Sequence, residues 1–452
     1  MKREIYRDLL KWKNSKNRKP LLLQGVRQCG KTYILKEFGR ENYDDVAYFT
    51  FEDNPDLHET FQKDLDTKRI LDYLSFARNK KIEPGKTLII FDEIQLCSRA
   101  LTSLKFFCEN APQYHLACAG SLLGVMLSKP GSFPVGKVRR LMMFPMTFKE
   151  FLLANSEDLL VEHMENNGPT EALPLILTNK LNTYLDYFFL TGGMPAAVAS
   201  WIAERDVEEV DTILGEIIKD YADDFSKHAS DHLAKLTLIW SSIPAQLARE
   251  NRKFVFGHVK KGARAKDLED ALEWLVDAGL IYKVKRTDRP KVPLSMHADS
   301  ASFKIYMADI GILRKMAKIP SDFLFSKNKE YDDFRGAVTE NYVLTELISL
   351  INDVPYYWKS DHDAEVDFVA QIGGMAIPIE AKAGSNRSKS LAEYIRTYDP
   401  EVAVTTAARR NMGSVVKHIP LYSLWKIGEY VTEMKRLQAD DAESGSSAAK
   451  QK

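Results

Sequence analysis

Long apolar runs are missing from this chain: none approaches the roughly 20 residues that span a bilayer, so no membrane-crossing helix is expected. Cysteine is scarce, with only Cys29, Cys97, Cys108 and Cys118 present and no CxxC pair among them. That spacing suggests neither a disulfide framework nor a zinc site, and it fits a reducing compartment. Net charge is missing too, because 63 Lys and Arg are matched by 63 Asp and Glu. No global field draws the protein to DNA or to an anionic membrane, so any nucleic-acid surface has to be a local patch. The N-terminal MKREIYRDLLKWKNSKNRKP is charged throughout, unlike a secretory leader, and its Ile5, Leu9 and Trp12 fit one face of a short helix. A cytoplasmic location is the expectation, with no membrane partner.

What is present suffices for several cores. The 452 residues, 45% hydrophobic and 28% charged, read as a globular chain of about three domains. Near the start, PLLLQGVRQCGKTYILKEFG gives a short apolar strand, then Gly25, Val26, Arg27, Gln28, Cys29, Gly30, Lys31 and Thr32, then a helical pattern. This matches G-x-x-x-x-G-K-[ST] in a strand, loop, helix context. The glycines let backbone N–H groups wrap the phosphates of ATP, Lys31 brings a cation to the outer phosphates, and Thr32 offers a hydroxyl to magnesium (Mg2+). Cys29 sits at a permissive position and receives no chemical role.

A second run, KTLIIFDEIQ, reads as a buried parallel strand delivering Asp92 and Glu93 at its C-terminal end. Asp92 is assigned to the magnesium shell and Glu93 to orienting and activating the attacking water. Further strands are expected at 46–51, 114–120 and 139–144, with helical patterns between them, which implies a parallel sheet covered on both faces. Ser121 follows one of these strands, where it can sense the γ-phosphate or simply cap a helix.

The runs GVRQCGKT, LIIFDEIQ, AGSLLGVML, PVGKVRRLMMFPMTFKEFL and YFFLTGGMPAAV, with KIYMADIGIL, GAVTENYVLTEL, YYWKSDHDAEVDFV and IEAKAGSNRSKSL after them, resemble the prokaryotic AAA-superfamily ATPases that carry a C-terminal domain of unknown function. The resemblance covers nearly the whole chain and implies an ATP-hydrolysing core. AAA-type sites are often completed by an arginine from a neighbouring copy, so a homo-oligomer is allowed for. Lys137, Arg139 and Arg140 are candidates for that cation, or merely charges flanking a strand.

Residues 151–228 read as helical, broken at Gly192, Gly193 and Pro195 by a turn expected near the ATPase core. Over 229–325, Leu268, Leu272, Leu275 and Val276 keep helical spacing, Gly279 ends the helix and LIYKVKR starts a strand, the order of a winged helix. Arg252, Lys253, Lys260, Lys261, Arg264 and Lys266 form a local basic cluster there, fit for DNA phosphates or for a solvated face.

Residues 326–436 hold a third pattern. RGAVTENYVLTELISLI is a periodic helix with Glu340 beside its apolar face, and AEVDFVAQI and AIPIEAKAG are strands joined at Gly373 and Gly374. Glu340, Asp367, Glu380 and Lys382 resemble the PD-(D/E)xK nuclease signature. Three hard oxygen ligands there suit magnesium, and Lys382 suits water positioning or stabilisation of developing phosphate charge. Trp358 is a candidate for base stacking, with Arg387 and Lys389 for phosphate contacts. The alternative is a salt-bridge cluster in a nuclease-like fold without activity.

The expected fold is therefore α/β throughout: a P-loop AAA-type parallel sheet over 1–150, the helical and winged-helix regions, a restriction-endonuclease-like α/β domain, and a polar tail at 437–452.

Overall fold

Two sheets organise the chain, each in its own compact unit: Met1–Met146 with Leu272–Leu280, and Thr147–Ala271 with Ile281–Lys452. The computed structural model describes residues 1–121, 135–168, 173–228, 232–249, 253–320, 332–361, 364–382, 389–407 and 416–434. Arg252, Arg387 and the expected tail lie outside the described residues.

In the first unit, β1 (Leu21–Gln24), β2 (Asp45–Thr50), β3 (Thr87–Asp92), β4 (His115–Ala119) and β5 (Arg139–Met142) form a fully parallel sheet in the order β2-β3-β4-β1-β5. The expected strands are all present, with ends shifted by one or two residues. Every residue of β3 and β4 is buried, as β-branched and apolar runs require when both faces are covered. The helices are α1 (Ile5–Lys13), α2 (Lys31–Asn42), α3 (Pro55–Thr60), α4 (Thr67–Ala77) and α5 (Ser98–Asn110). Leu9 and Trp12 are the buried positions of α1.

Strand order positions the chemistry. Because β4 lies between β1 and β3, the residues leaving the C-terminal ends of these strands are neighbours although they are far apart in sequence. An aromatic cluster fixes the β3 end, with Phe91 edge-on to Phe51 at 5.6 Å, Phe61 at 5.8 Å and Phe107 at 6.3 Å. Such pairs contribute about 0.5–1.5 kcal/mol each beyond the area they bury.

The helix Ala265–Asp277 buries Leu268, Leu272 and Leu275 and ends as its sequence specifies. Gly279 is left-handed, with φ of +72°, while its N–H donates to Val276 O and that of Leu280 donates to Leu275 O. This is a Schellman turn.

The second unit opens with helices Phe148–Ala154, Asp158–Asn166, Leu175–Thr191, Pro195–Glu204 and Val207–His228. The first starts at a capping box between Thr147 and Glu150. The Gly192 break is present, and its packing partner lies in its own unit. It packs on the Asp309–Gly311 turn of its own unit, where a Cβ at Gly192 would fall 2.3 Å from Asp309 Oδ1 and 2.6 Å from Gly311 N. Asp309 accepts the Gly193 N–H at 2.6 Å and the Ile312 N–H at 2.9 Å, which ties the two helix starts together.

A seven-stranded mixed sheet follows. It comprises β6 (Ile281–Thr287), β7 (Ala298–Met307), β8 (Tyr356–Lys359), β9 (Glu365–Ile372), β10 (Met375–Lys382), β11 (Ala403–Ala407) and β12 (Val416–His418), in the order β12-β11-β10-β9-β8-β6-β7. The strand expected to begin a wing is present as β6 and pairs antiparallel with β7, yet β6 also pairs in parallel with β8, at Arg286 with Tyr357 and Thr287 with Trp358. Its strand edge is thereby covered, and hairpin and C-terminal strands are one sheet. From Asp332 onward the order is a helix (Asp332–Ile351), three antiparallel strands β8, β9 and β10, a helix (Lys389–Tyr398), and β11 parallel to β10. Gly373 and Gly374, both with positive φ, make the two-residue turn between β9 and β10.

Candidate functional sites

The loop after β1 is shaped by three residues with positive φ: Gly25 at +152°, Gln28 at +65° and Gly30 at +96°. Gly25 is obligatory, since a Cβ there would lie 2.1 Å from Met143 O. Buried Cys29 directs its thiol to Met143 O at 3.7 Å, and Arg3 donates to Cys29 O at 3.0 Å and to Phe144 O at 2.6 Å. The loop is thus braced from below by backbone and by one guanidinium. Lys31, at the first position of α2, is 6% exposed and donates to Gly25 O and Val26 O, both at 2.8 Å. Gly279 faces the same loop, its would-be Cβ 3.7 Å from Val26 N.

Asp92 sits at the end of β3 and is held through both oxygens. Thr32 and Tyr48 each donate to Oδ2 at 2.8 Å, and the Glu93 N–H donates to Oδ1 at 3.1 Å. Glu93 adopts the left-handed region, φ 50° and ψ 40°, which is unusual for a residue with a side chain and turns its carboxylate away from the strand line. That carboxylate accepts from Gln95 Nε2 and from Ser121 Oγ, at 3.2 and 3.3 Å to its two oxygens. The sequence-assigned Thr32, Asp92, Glu93 and Ser121 therefore form one hydrogen-bonded group. The capping alternative for Ser121 concerns residues outside the described set.

Tyr48 was not singled out in the sequence. It lies on β2 opposite Ile90, and burial, followed by its bond to Asp92, holds its phenol well above the ordinary value. The Lys36 ammonium stands 3.4 Å from its ring centroid. Among the cation candidates, Lys137 pairs with Glu109 at 2.8 Å, whereas Arg139 and Arg140 are exposed on the edge strand β5.

In the second unit, Asp367 and Glu380 lie on facing positions of β9 and β10, the step beyond the Phe368–Ile379 pair. Asp367 accepts the Ala381 N–H at 2.8 Å, and Lys382 pairs with Glu380 at 3.3 Å. Glu340 is 1% exposed and engaged from β7, by Lys304 at 3.3 Å and by the Tyr306 hydroxyl, both on its Oε1. Lys304 also pairs with Glu365 at 2.6 Å. Burial alone would lower the Lys304 pKa, but Tyr306, Glu365 and Asp367 reverse this and hold it above the ordinary lysine value. Next to Glu340, Asn341 exchanges two bonds with the Met307 backbone, at 2.8 and 2.9 Å. Among the described residues, no group of three or more His, Cys, Asp and Glu is arranged to hold a metal ion.

Sequence reasoning missed Lys304, Tyr306 and Glu365, although a lysine between Phe303 and Ile305 in an otherwise apolar strand was a visible signal. Trp358 is a correction: it is 3% exposed, bonds Tyr398 through its indole N–H at 3.1 Å and packs edge-on to Tyr394, so it is core and cannot stack on a base. Lys389 is exposed at a helix start, and Lys253, Lys260, Lys261, Arg264 and Lys266 are all exposed. No described helix is long and apolar enough to cross a membrane.

Residues 17–152 match the model of an AAA domain family, while 182–322 and 335–424 match two families described only as domains of unknown function. Uncharacterized proteins of Mycobacterium tuberculosis and Mycobacterium bovis are each 33% identical over 101 residues, a stretch that spans 22% of this chain and 22% of theirs. Among solved structures, a Walker-type ATPase of Pyrococcus abyssi is similar at 14% identity and TM-score 0.44, covering 69% of this chain and 94% of its own. The Aeropyrum pernix ORC1 protein in complex with DNA is similar at 13% identity and TM-score 0.29, covering 71% and 92%. With both scores below 0.5, nothing about partners follows from these likenesses. The family match and the strand, loop, helix geometry agree on one statement: residues 17–152 carry an AAA-type P-loop domain.

Proposed function

We propose that this protein binds and hydrolyses ATP with the first unit and uses the cycle to act on DNA through the second. The hydrogen-bonded group of Thr32, Asp92, Glu93 and Ser121 carries the first half of this reading. The site fits the nucleotide and its metal: Gly25 is a cradle that a Cβ would fill, and Thr32 and Asp92 supply the hard oxygens that magnesium prefers. When bound, magnesium supplies charge neutralisation at the phosphates. Lys31 exchanges its carbonyl partners for phosphate oxygens, Thr32 and Asp92 hold the metal side, and Glu93 takes a proton from the attacking water while Ser121 orients that carboxylate. Arg139 and Arg140, exposed on an edge strand, support a cation offered to a neighbouring copy. Lys31→Ala and Glu93→Gln, assayed by phosphate release, test this half: hydrolysis at the wild-type rate in either variant would overturn it.

For the second unit, the order helix, three strands, helix, strand, with Asp367 facing Glu380 and Lys382 on the same side of β10, supports a nuclease-like domain. The exposed Lys260, Lys261, Arg264 and Lys266 support contact with DNA phosphates. Cleavage of labelled linear, single-stranded and branched DNA with magnesium or manganese, with and without ATP, is tested against Asp367→Ala. A second reading, a domain that holds DNA or a partner without cutting it, is favoured by one observation: Glu340 is engaged by Lys304 and Tyr306. ATP hydrolysis without Asp367-dependent cleavage would select it.

A further inference from the structure

Lys304 belongs to β7, outside the helix and strands that carry the nuclease-like signature, yet its ammonium reaches two of their carboxylates, Glu365 at 2.6 Å and Glu340 at 3.3 Å. Tyr306, two residues along the same strand face, donates to the same Glu340 oxygen. Lys304 and Glu340 are each 1% exposed, so neither charge is solvated and each needs the other. Lys359 lies 4.0 Å from Glu365, and Lys382 pairs with Glu380. Three lysines are thus distributed among the three carboxylates Glu340, Glu365 and Glu380. A divalent ion ligated by Glu340 would have to sit beside a buried ammonium 3.3 Å from that carboxylate. The residues do not fit the metal that the nuclease-like signature implies.

We infer that Lys304 is the resident cation of this carboxylate face, a positioning residue that neutralises Glu340 and Glu365 where a nuclease of this fold would place a divalent metal. The consequence is a C-terminal site that keeps the nuclease-like architecture without a metal, and the inference rests on the second, non-cutting reading. It also gives the β6–β7 hairpin a role, since the hairpin delivers the ammonium to a site built mainly by residues after 332.

The test is manganese binding by electron paramagnetic resonance to the full-length, nucleotide-free protein, comparing wild type, Asp367→Ala, Lys304→Met and the double variant Lys304→Met/Glu340→Gln. Wild type and Asp367→Ala should bind identically, any uptake at the phosphate loop being common to both. Lys304→Met should gain a manganese site absent from wild type, and the double variant should lose it again. Manganese bound by wild type and released by Asp367→Ala overturns the inference, as does a Lys304→Met protein with unchanged melting temperature and no new metal site. If Lys304→Met fails to fold, the comparison of wild type with Asp367→Ala still decides. Asp367-dependent DNA cleavage sinks the non-cutting reading and the inference with it, whereas Asp367-dependent manganese binding without cleavage overturns the inference alone.

Discussion

Lys31 and Lys304 are both buried lysines, 6% and 1% exposed, but one is held by neutral groups and the other by charged ones. Lys31 rests on two carbonyls of its own loop. Lys304 lies between two carboxylates contributed by a helix and another strand. An anionic phosphate attracts the ammonium by net charge as a neutral carbonyl does not, so a phosphate can outcompete carbonyls for Lys31 but has no such advantage over Glu340 and Glu365. The first arrangement suits an ammonium that changes partners during a reaction cycle, and the second suits one that does not.

The largest effects should break the first arrangement. Lys31→Ala is expected to lower steady-state ATP hydrolysis by about 100-fold or more. Glu93→Gln should lower it by about 100- to 10,000-fold while a fluorescent nucleotide still binds. Wild-type turnover in Lys31→Ala would mean that the carbonyl-held lysine never leaves its loop.

Breaking the second arrangement should appear as stability instead. Removing one partner of a buried ion pair costs about 3–5 kcal/mol, so Lys304→Met should lose this in urea unfolding, and Lys304→Met/Glu340→Gln should recover part of it. Additive losses in the double variant would mean that the two charges do not act as a pair.

Asp309 sharpens the comparison from the acidic side, as a buried carboxylate held by backbone N–H groups. Burial pushes its pKa up to about 6 from an ordinary 3.8 in spite of those bonds. The folded state therefore binds the proton more tightly than the unfolded state, and the stability this provides is complete below about pH 4 and lost as pH rises through 6. At about 1.4 kcal/mol per pKa unit, the loss is roughly 3 kcal/mol. The difference in unfolding free energy between pH 4.5 and pH 7.5 should shrink by that order in Asp309→Asn, and an unchanged slope would remove Asp309 from the comparison.

The smallest effect concerns Asp92, whose hydroxyl donors come from α2 and β2. Tyr48→Phe should raise the magnesium needed for half-maximal hydrolysis by roughly 10-fold, as loss of a group that orients a metal ligand does, and leave the rate at saturating magnesium nearly unchanged. A fall in the saturated rate with no change in magnesium demand would assign Tyr48 to something other than orienting Asp92.

The phosphate loop and the β3 carboxylates were legible in the sequence because their chemistry is local: a few adjacent residues set the loop, and one apolar strand delivers Asp92 and Glu93. The same holds for the Gly279 turn and the Gly373–Gly374 hairpin, where positive φ demands glycine. Tyr48, Lys304 and the union of the β6–β7 hairpin with the C-terminal strands were not legible, because each depends on which strand lies beside which. Lys304 and Glu340 are 36 positions apart and meet only across a folded sheet face. Trp358 shows the opposite error, a large aromatic read as a ligand surface when its apolar area and indole N–H are both satisfied inside the core.

The Schellman turn at Gly279 has a mechanical consequence. It leans on Val26 of the phosphate loop, and only Leu280 separates it from Ile281, where β6 begins. Two peptide bonds therefore carry the chain from the residue beside the phosphate loop to the first strand of the other sheet. A longer linker at 280 would lengthen that span without changing either sheet.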